Sequence, residues 1–512
     1  MGGMSASSTT AEAPDPLDDA SPATPRPVPG PGRGRTPAVL PLLVVLVFAA
    51  LQVVAHADWT LSNDSYRYAR HSLEILGSAP AQAQRQAVQA YCASRAEQGQ
   101  LTRGLDPVLI QRSSRRTRDL RSCVATNQHG LDPADPRYER IFDSRPGYPL
   151  LISPAVAALG VARGMWLTGV LITAGASLLV VALLRQAGAS RPAAVAGQLL
   201  FLCSRLGWWS TQPLAEGAVS AGVLAALLGA WRLLHGSRLS GAALLTGALA
   251  ATALVKYSTA MMLAIALALA AGCVRFLAAG SSESAGPAPG PASAPRAGTV
   301  PLALLSTAAA VLIATAVTVL RLPDVTETLQ DTFTHSFHRA PVADPWPRLL
   351  RLDLRYWAQW GRDQAAHPLL PLLLCVSCWA LLRRGRVLGV LAAAAAALGL
   401  ATAAAHPVAD QQDRLWALIW VPVVLGLPRA LDQLRAAGAR QAAAPLAAVP
   451  SASVPSGSAP PPAVPSAAVP SASVPSGSAP PPAVPSAAVP SAAVPSASVP
   501  PDAGSAAVPP RR

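Results

Sequence analysis

Long apolar runs separated by short polar links dominate the chain. The first run, 37–57, is long enough to cross a bilayer, which requires about 20 apolar residues. Apolar length and breaking residues predict further spans along the chain, so the expected fold is all-α: a polytopic membrane protein of about ten transmembrane helices. The predicted spans are 37–57, 163–184, 192–207, 213–234, 240–255, 258–279, 300–320, 368–382, 386–405 and 414–430.

The short links between these runs predict the orientation. Arginines such as Arg185, Arg383 and Arg435 fall on one side of the membrane if the N-terminus lies inside. Positive charge in short loops marks the cytoplasmic side. We therefore expect a multi-pass plasma membrane protein with both termini in the cytoplasm. Two longer segments, 58–147 and 321–367, then face outward.

The two ends of the chain differ from its apolar middle, 37–430. Residues 1–36 are Pro-rich and acidic, which indicates a disordered tail before an uncleaved signal anchor. The other end, 431–512, contains one 20-residue sequence twice, at Ala448–Ala467 and Ala468–Ala487. Its Pro, Ala and Ser content predicts a disordered, polyproline-like tail.

Composition supports the membrane prediction and excludes one class of partner. Only 13% of residues are charged, against about 25% in soluble domains, and the mean hydropathy is +0.36. The net charge of +14 comes from arginines scattered over the links between spans. This distribution fits membrane anchoring rather than nucleic-acid binding.

The outward segments carry two further features. Cys92 and Cys123 lie in the first of them and predict a disulfide in an oxidising compartment, with two unpaired thiols as the alternative. In the second, apolar residues from Trp346 to Trp357 interleave with arginines at helical spacing. That pattern predicts an amphipathic helix lying at the membrane surface.

Polar residues that are rare in apolar segments collect near the outer ends of the predicted helices. Ionisable groups at such depth usually face a cavity or each other. Three of these residues are cations on the outer side of the membrane, where positive charge is disfavoured. Binding of a phosphate group would explain cations at that position. The members are Asp64, Arg205, Glu216, Lys256, Asp413 and Arg414.

These residues lie in short motifs that together resemble the GT-C superfamily of membrane glycosyltransferases, which use a polyprenyl-phosphate-linked sugar. Protein O-mannosyltransferases and lipid A aminoarabinose transferases are among its families. The resemblance covers the layout of 37–430 and is carried by an acid with aromatics after the first span and by motifs at later helix starts. The motifs are Asp64-Ser65-Tyr66, Arg145-Pro146-Gly147-Tyr148-Pro149-Leu150-Leu151, Glu216, Lys256-Tyr257 and Asp413-Arg414-Leu415.

The resemblance implies an inverting transfer to an acceptor hydroxyl on the outer face of the membrane. It assigns Asp64 as the general base, because a carboxylate in hydrogen-bond reach can take the hydroxyl proton. It assigns cations to the leaving phosphate: Lys256 first, then Arg205 and Arg414. Further substrate-binding positions are Arg145, Tyr66, Tyr148, Glu216 and Asp413.

The implied partners are a polyprenyl-phosphate-linked sugar, a cell-envelope glycan, lipid or protein acceptor, and membrane lipids. Many relatives have a second acid beside the first, whereas this chain has Ser65, which counts against metal binding at Asp64. No cofactor is assigned, and a divalent metal is the alternative.

Simpler roles also fit these residues. Asp64 suits an N-cap, Glu216 a first-turn acid, and Lys256 and Arg414 cations that reach lipid head groups. A membrane transporter or lipid flippase, or a non-catalytic scaffold that uses the repeat tail, are the alternative functions.

Overall fold

The computed structural model describes residues 39–55, 60–105, 113–132, 135–280 and 294–443, and within these ranges every regular element is a helix. The predicted tail 1–36 and residues 444–512 of the predicted tail 431–512 lie outside the described residues. A first apolar helix is followed by four polar ones, seven mostly apolar ones and a last group that contains the second outward segment. They are α1 Val39–Ala55; α2 Asn63–Ile75, α3 Pro80–Gly104, α4 Ser113–Thr126 and α5 Pro136–Asp143; α6 Gly147–Leu159, α7 Val161–Gln186, α8 Arg191–Cys203, α9 Arg205–Thr211, α10 Glu216–Leu234, α11 Arg238–Gly280 and α12 Ala294–Val319; α13 Val325–Phe333, α14 Pro345–Ala366, α15 Leu369–Arg384, α16 Arg386–Ala405, α17 Gln412–Leu415 and α18 Trp420–Ala443.

Six described helices are long and apolar enough to cross a membrane, or seven if one bent pair forms a single span. The chain is therefore a multi-pass membrane protein by helix length and composition. The prediction of ten spans is not confirmed. Three apolar helices, α1, α6 and α8, are shorter than a span, whereas the predicted segments 240–255 and 258–279 correspond to the two helical parts of α11.

That element, α11, is broken at Lys256. Its 43 residues would extend about 65 Å as an ideal helix, roughly twice the thickness of the hydrocarbon core. Lys256 has φ −160° and ψ 86°, which separates helical segments 238–255 and 257–280. The first residue of α6 packs against this break, because a Cβ on Gly147 would lie 2.6 Å from the Leu254 carbonyl carbon.

Small residues bring α10 and α11 into close backbone contact. A Cβ on Gly229 would lie 2.6 Å from the Leu245 nitrogen, and one on Gly241 would lie 2.7 Å from the Leu233 nitrogen. Close approach at glycines is a common way for membrane helices to pack, since lipid tails supply no hydrophobic drive between helices. This packing holds the second half of α10 against the first part of α11.

The polar helices α2 to α5 form a packed unit rather than an irregular loop. Cys92 of α3 and Cys123 of α4 are joined by a disulfide with a Cα–Cα distance of 5.6 Å. Arg67 of α2 is fully buried and donates from Nε to Glu139 Oε1 of α5 at 2.8 Å. Its guanidinium also lies 4.6 Å from the centre of the Tyr138 ring. A buried ion pair with these contacts ties α2 to α5.

The second outward segment contains the predicted amphipathic helix. α14 meets α15 at an angle of 88°. Trp346, Leu350 and Leu354 form an exposed apolar stripe on α14, whereas Tyr356 is buried on its other side. A stripe of this kind suits a helix at a membrane surface.

The last helix extends past the predicted boundary at 430. α18 continues to Ala443, and its second half is held by two contacts to other helices. The Ser190 backbone N–H donates to Asp432 Oδ2 at 2.7 Å, and Gln433 Nε2 donates to the Ala380 carbonyl at 2.9 Å. Residues 431–443 therefore belong to the folded unit.

Candidate functional site

Three side chains from distant parts of the chain meet in one ion-pair cluster. Arg414 donates from Nη2 to Asp64 Oδ2 at 2.8 Å and from Nε to Glu216 Oε1 at 2.7 Å. Their side chains are 18%, 23% and 16% exposed, so all three are largely withdrawn from solvent. One cation thus neutralises two carboxylates, and the three groups hold each other in place.

The start of α2 explains why Asp64 lies here. Ser62, not Asp64, is the N-cap of this helix and forms a capping box with Ser65. The alternative in which Asp64 serves as the N-cap is therefore wrong. Ser65 is fully buried and donates from its hydroxyl to the Pro213 carbonyl at 2.9 Å, just before α10. This bond brings Asp64 beside Glu216, the first residue of α10.

The surrounding charges keep Asp64 ionised. Burial alone would raise the pKa of its carboxyl group, but the Arg414 guanidinium, with Arg67 and Lys256, outweighs burial and lowers that pKa below its ordinary value. Burial alone would lower the pKa of the Arg414 guanidinium, but Glu216 and Asp64 together raise it above its ordinary value. Asp64 is therefore an anion at neutral pH and a weak proton acceptor.

Two further cations adjoin the cluster without a carboxylate partner. Within the described ranges, neither Lys256 nor Arg145 forms an ion pair, although Lys256 lies close enough to Asp64 to lower its pKa. Arg145 Nε is buried and has no hydrogen-bond partner there. The Arg145 guanidinium lies 5.9 Å from the centre of the Tyr257 ring, and the Tyr257 hydroxyl donates to the Pro323 carbonyl at 2.5 Å.

Arg205 and Asp413 lie at the rim. Arg205 Nε is 3.5 Å from Asp413 Oδ2, and the two side chains are 55% and 37% exposed. Sequence reasoning placed Arg205 among the phosphate cations and Asp413 among the substrate-binding groups. In the structure they pair with each other beside Arg414.

The two tyrosines that were predicted to bind substrate have different positions. Tyr66 is 1% exposed, and its hydroxyl lies against Gly130 in the core of the polar helices, so it is not placed at the cluster. Tyr148 is fully buried, and its ring meets Tyr68 edge to face at 4.9 Å. Burial raises the pKa of Tyr68, and Asp64 raises it further. Tyr68 was not predicted as a site residue, although it lies four positions after Asp64, on the same helix face.

A second acid that the sequence analysis missed lies near the cluster. Asp331 belongs to α13 in the second outward segment, and one of its oxygens, Oδ1, is buried without a hydrogen-bond partner in the described part of the chain. Burial raises the pKa of this carboxyl group to about 6, and the neighbouring negative charge of Asp64 adds to the effect. No spacing in the sequence connects α13 with α2.

The donor groups present do not fit a divalent ion at Asp64. The Ser65 hydroxyl is engaged with Pro213, and Arg414 holds one oxygen of Asp64. Among the described residues, no group of three or more His, Cys, Asp or Glu side chains is placed to hold a metal ion.

No protein-family model, no curated protein and no solved structure matches this chain. The class of protein is defined by the fold and the site geometry: a multi-pass membrane protein whose described elements are helices, with a cluster of charges where the polar helices meet the apolar ones.

Proposed function

We propose that this chain is a membrane glycosyltransferase of the GT-C type, which transfers a sugar from a polyprenyl-phosphate donor to an acceptor hydroxyl on the outer face of the plasma membrane. The observation that carries the proposal is the pair of cations, Lys256 and Arg145, beside the Asp64–Arg414–Glu216 cluster. Unpaired cations next to a fixed carboxylate suit a reaction in which a phosphate leaves and a hydroxyl attacks.

The cations supply the phosphate site of this proposal. The donor is a phosphodiester with one negative charge, and its phosphate gains a second as the sugar departs. Lys256 is a compact charge at the helix break, and Arg145 carries a planar guanidinium suited to phosphate oxygens. Arg414 already neutralises two carboxylates, so it is less suited to hold the phosphate and instead keeps Asp64 in position.

Asp64 is the fixed negative charge of the proposed site. Arg414 engages Oδ2, and Oδ1 accepts no hydrogen bond from any described residue, so it is free to face the sugar. The negative charge of Asp64 also stabilises the positive charge that develops at the anomeric carbon in the transition state. Its lowered pKa makes it a better fixed anion than a proton acceptor, which changes the role that the resemblance implied.

Two observations support a location of the active site on the outer side of the membrane. The disulfide of Cys92 and Cys123 belongs to an oxidising compartment, and it lies in the same packed unit as α2. Short loops rich in arginine fall on the opposite side of the predicted spans. Both favour an active site outside the cytoplasm and termini within it.

The test is sugar transfer from a radiolabelled polyprenyl-phosphate sugar by purified protein in lipid vesicles. We expect Lys256→Gln to lower transfer by about 10²-fold, because one fixed charge at the leaving phosphate is lost. Arg205, which the resemblance assigned to the phosphate, is left out of the proposed site because it pairs with Asp413 and is 55% exposed. Arg205→Gln is therefore the matched control. It should change transfer by less than about threefold.

Two outcomes contradict the proposal. One is no transfer by the wild-type protein with any of a panel of polyprenyl-phosphate hexoses and pentoses. The other is equal transfer by Lys256→Gln and Arg205→Gln, which would remove the phosphate role from Lys256.

A further inference from the structure

Helix α13 is held near both of its ends by side-chain contacts to other parts of the chain. Near its start, Arg137 of α5 donates to both oxygens of Glu327 at 2.7 and 2.9 Å. Near its end, Thr332 Oγ1 and His406 Nδ1 are 2.7 Å apart. A bidentate pair and a bond to the segment before α17 restrict the helix from two sides. The helix is therefore fixed relative to α5 and to the segment before α17, and the negative charge of Asp64 reaches its Asp331 side chain.

The turn after α13 has a rare backbone conformation. His335, Ser336 and Phe337 have φ values of 54°, 58° and 66°, a left-handed region that side chains other than glycine rarely adopt. The turn is stabilised by bonds back to the helix, including the Ser336 N–H to the Asp331 carbonyl at 2.9 Å. Consecutive residues in this region persist only where their surroundings hold them, and such segments occur often at functional sites.

The turn and the helix together determine the surroundings of Asp331. Asp331 Oδ1 is buried without a hydrogen-bond partner among the described residues, and Ser336 lies near enough to lower the pKa of the carboxyl group slightly. The charges that face it are Asp64 of α2, Arg145 before α6 and Glu327 on its own helix. Tyr138 of α5 also lies within its influence. A buried carboxylate oxygen without a donor is costly, and a substrate hydroxyl would satisfy it.

We propose that Asp331 is a second catalytic carboxylate of this site and accepts the proton of the acceptor hydroxyl, an inference that rests on the proposed sugar transfer. The hydroxyl oxygen forms a bond to the anomeric carbon while its proton moves to Asp331. The bond between the anomeric carbon and the phosphate oxygen breaks, and its electron pair leaves with polyprenyl phosphate. Asp64, held by Arg414, remains ionised throughout.

The surroundings of the two acids support different roles, with Asp64 as a fixed anion and Asp331 as the proton acceptor. Arg414 lowers the pKa of Asp64, whereas burial and the charge of Asp64 raise that of Asp331 to about 6. Two carboxyl groups whose pKa values are pushed apart commonly take different roles, and the group with a pKa nearer to the working pH is the better proton acceptor.

The test compares the pH dependence of transfer in the full-length protein, from about pH 5 to pH 8, for wild type and Asp331→Asn. The reactive form of Asp331 is deprotonated, so wild-type transfer should fall as the pH drops through about 6. Asp331→Asn should lower the plateau rate by about 10²–10⁴-fold and abolish this acid limb. Asp331→Glu, which keeps the carboxylate, should retain the limb with a lower plateau.

Asp324→Asn is the matched control. It removes one negative charge from the same helix at an exposed N-cap, where asparagine caps as well as aspartate, so rate and profile should match wild type. Wild-type transfer that is flat over this pH range overturns the inference even if Asp331→Asn fails to fold. Equal rates and profiles for Asp331→Asn and Asp324→Asn overturn it as well. Absence of transfer by wild type instead overturns the proposed function, and the inference with it.

Discussion

The pairing of Arg414 with Asp64 can be tested without any substrate, by a double-mutant cycle. The variants are Arg414→Gln, Asp64→Asn and both together. The bond that joins them is 2.8 Å long between side chains that are 18% and 23% exposed. Hydrogen bonds to charged groups contribute about 1.5–3 kcal/mol, so a coupling energy of about 2 kcal/mol is expected at neutral pH.

The coupling should also depend on pH in a defined direction. The pKa of Asp64 is lowered in the folded protein, so its contribution to stability is present above the ordinary aspartate pKa of about 3.9 and is lost as the pH falls through the folded value. Arg414→Gln leaves Asp64 and Glu216 as two neighbouring anions, and its destabilisation should be largest when both are ionised.

The assay is the free energy of unfolding in detergent micelles for each variant. The pair Arg205 and Asp413 is the internal control, because its 3.5 Å separation and its 55% and 37% exposure predict a coupling below about 0.5 kcal/mol. A coupling between Arg414 and Asp64 as small as that of the control pair would refute the cluster as described.

Three further results are expected. Cys92→Ser should destabilise the protein by about 3.7 kcal/mol, since the bond to Cys123 spans a sequence separation of 31, and reductant should have the same effect on wild type when unfolding is measured. Gly147→Ala should cost about 1–3 kcal/mol in the same assay, because the added Cβ meets the backbone of α11, whereas Gly175→Ala, with nothing within 4 Å, should be neutral or stabilising. Deletion of 444–512 should leave transfer unchanged if the protein is an enzyme, and loss of function would favour a scaffold.

The positions of many apolar helices could be predicted, because the length of an apolar segment indicates a membrane-spanning helix directly. The break at Lys256 lies where a cation interrupts an apolar run, and the structure has non-helical backbone there. The number of spans was not predictable in the same way. The number of spans depends on the 88° bend between α14 and α15 and on how short apolar helices such as α6 and α8 pack. Contacts between distant segments determine both.

The sequence indicated the three residues of the charged cluster but not how they pair. Asp64, Glu216 and Arg414 stand out as ionisable residues beside apolar runs. Nothing in the sequence indicates that one arginine binds two acids that lie 350 and 198 positions away. Tyr68 could have been found from its spacing to Asp64. Asp331 could not, because an acid on a short amphipathic helix is ordinary until the fold buries it.

The most direct test of the proposed function is sugar transfer from a radiolabelled polyprenyl-phosphate sugar by wild type and Asp64→Asn in lipid vesicles. The substitution keeps the shape of the side chain, and Ser62 continues to cap α2, so the helix should be unaffected. We predict transfer by wild type and a loss of at least about 10²-fold in the variant at equal expression. Equal transfer by both proteins would contradict the central role of Asp64.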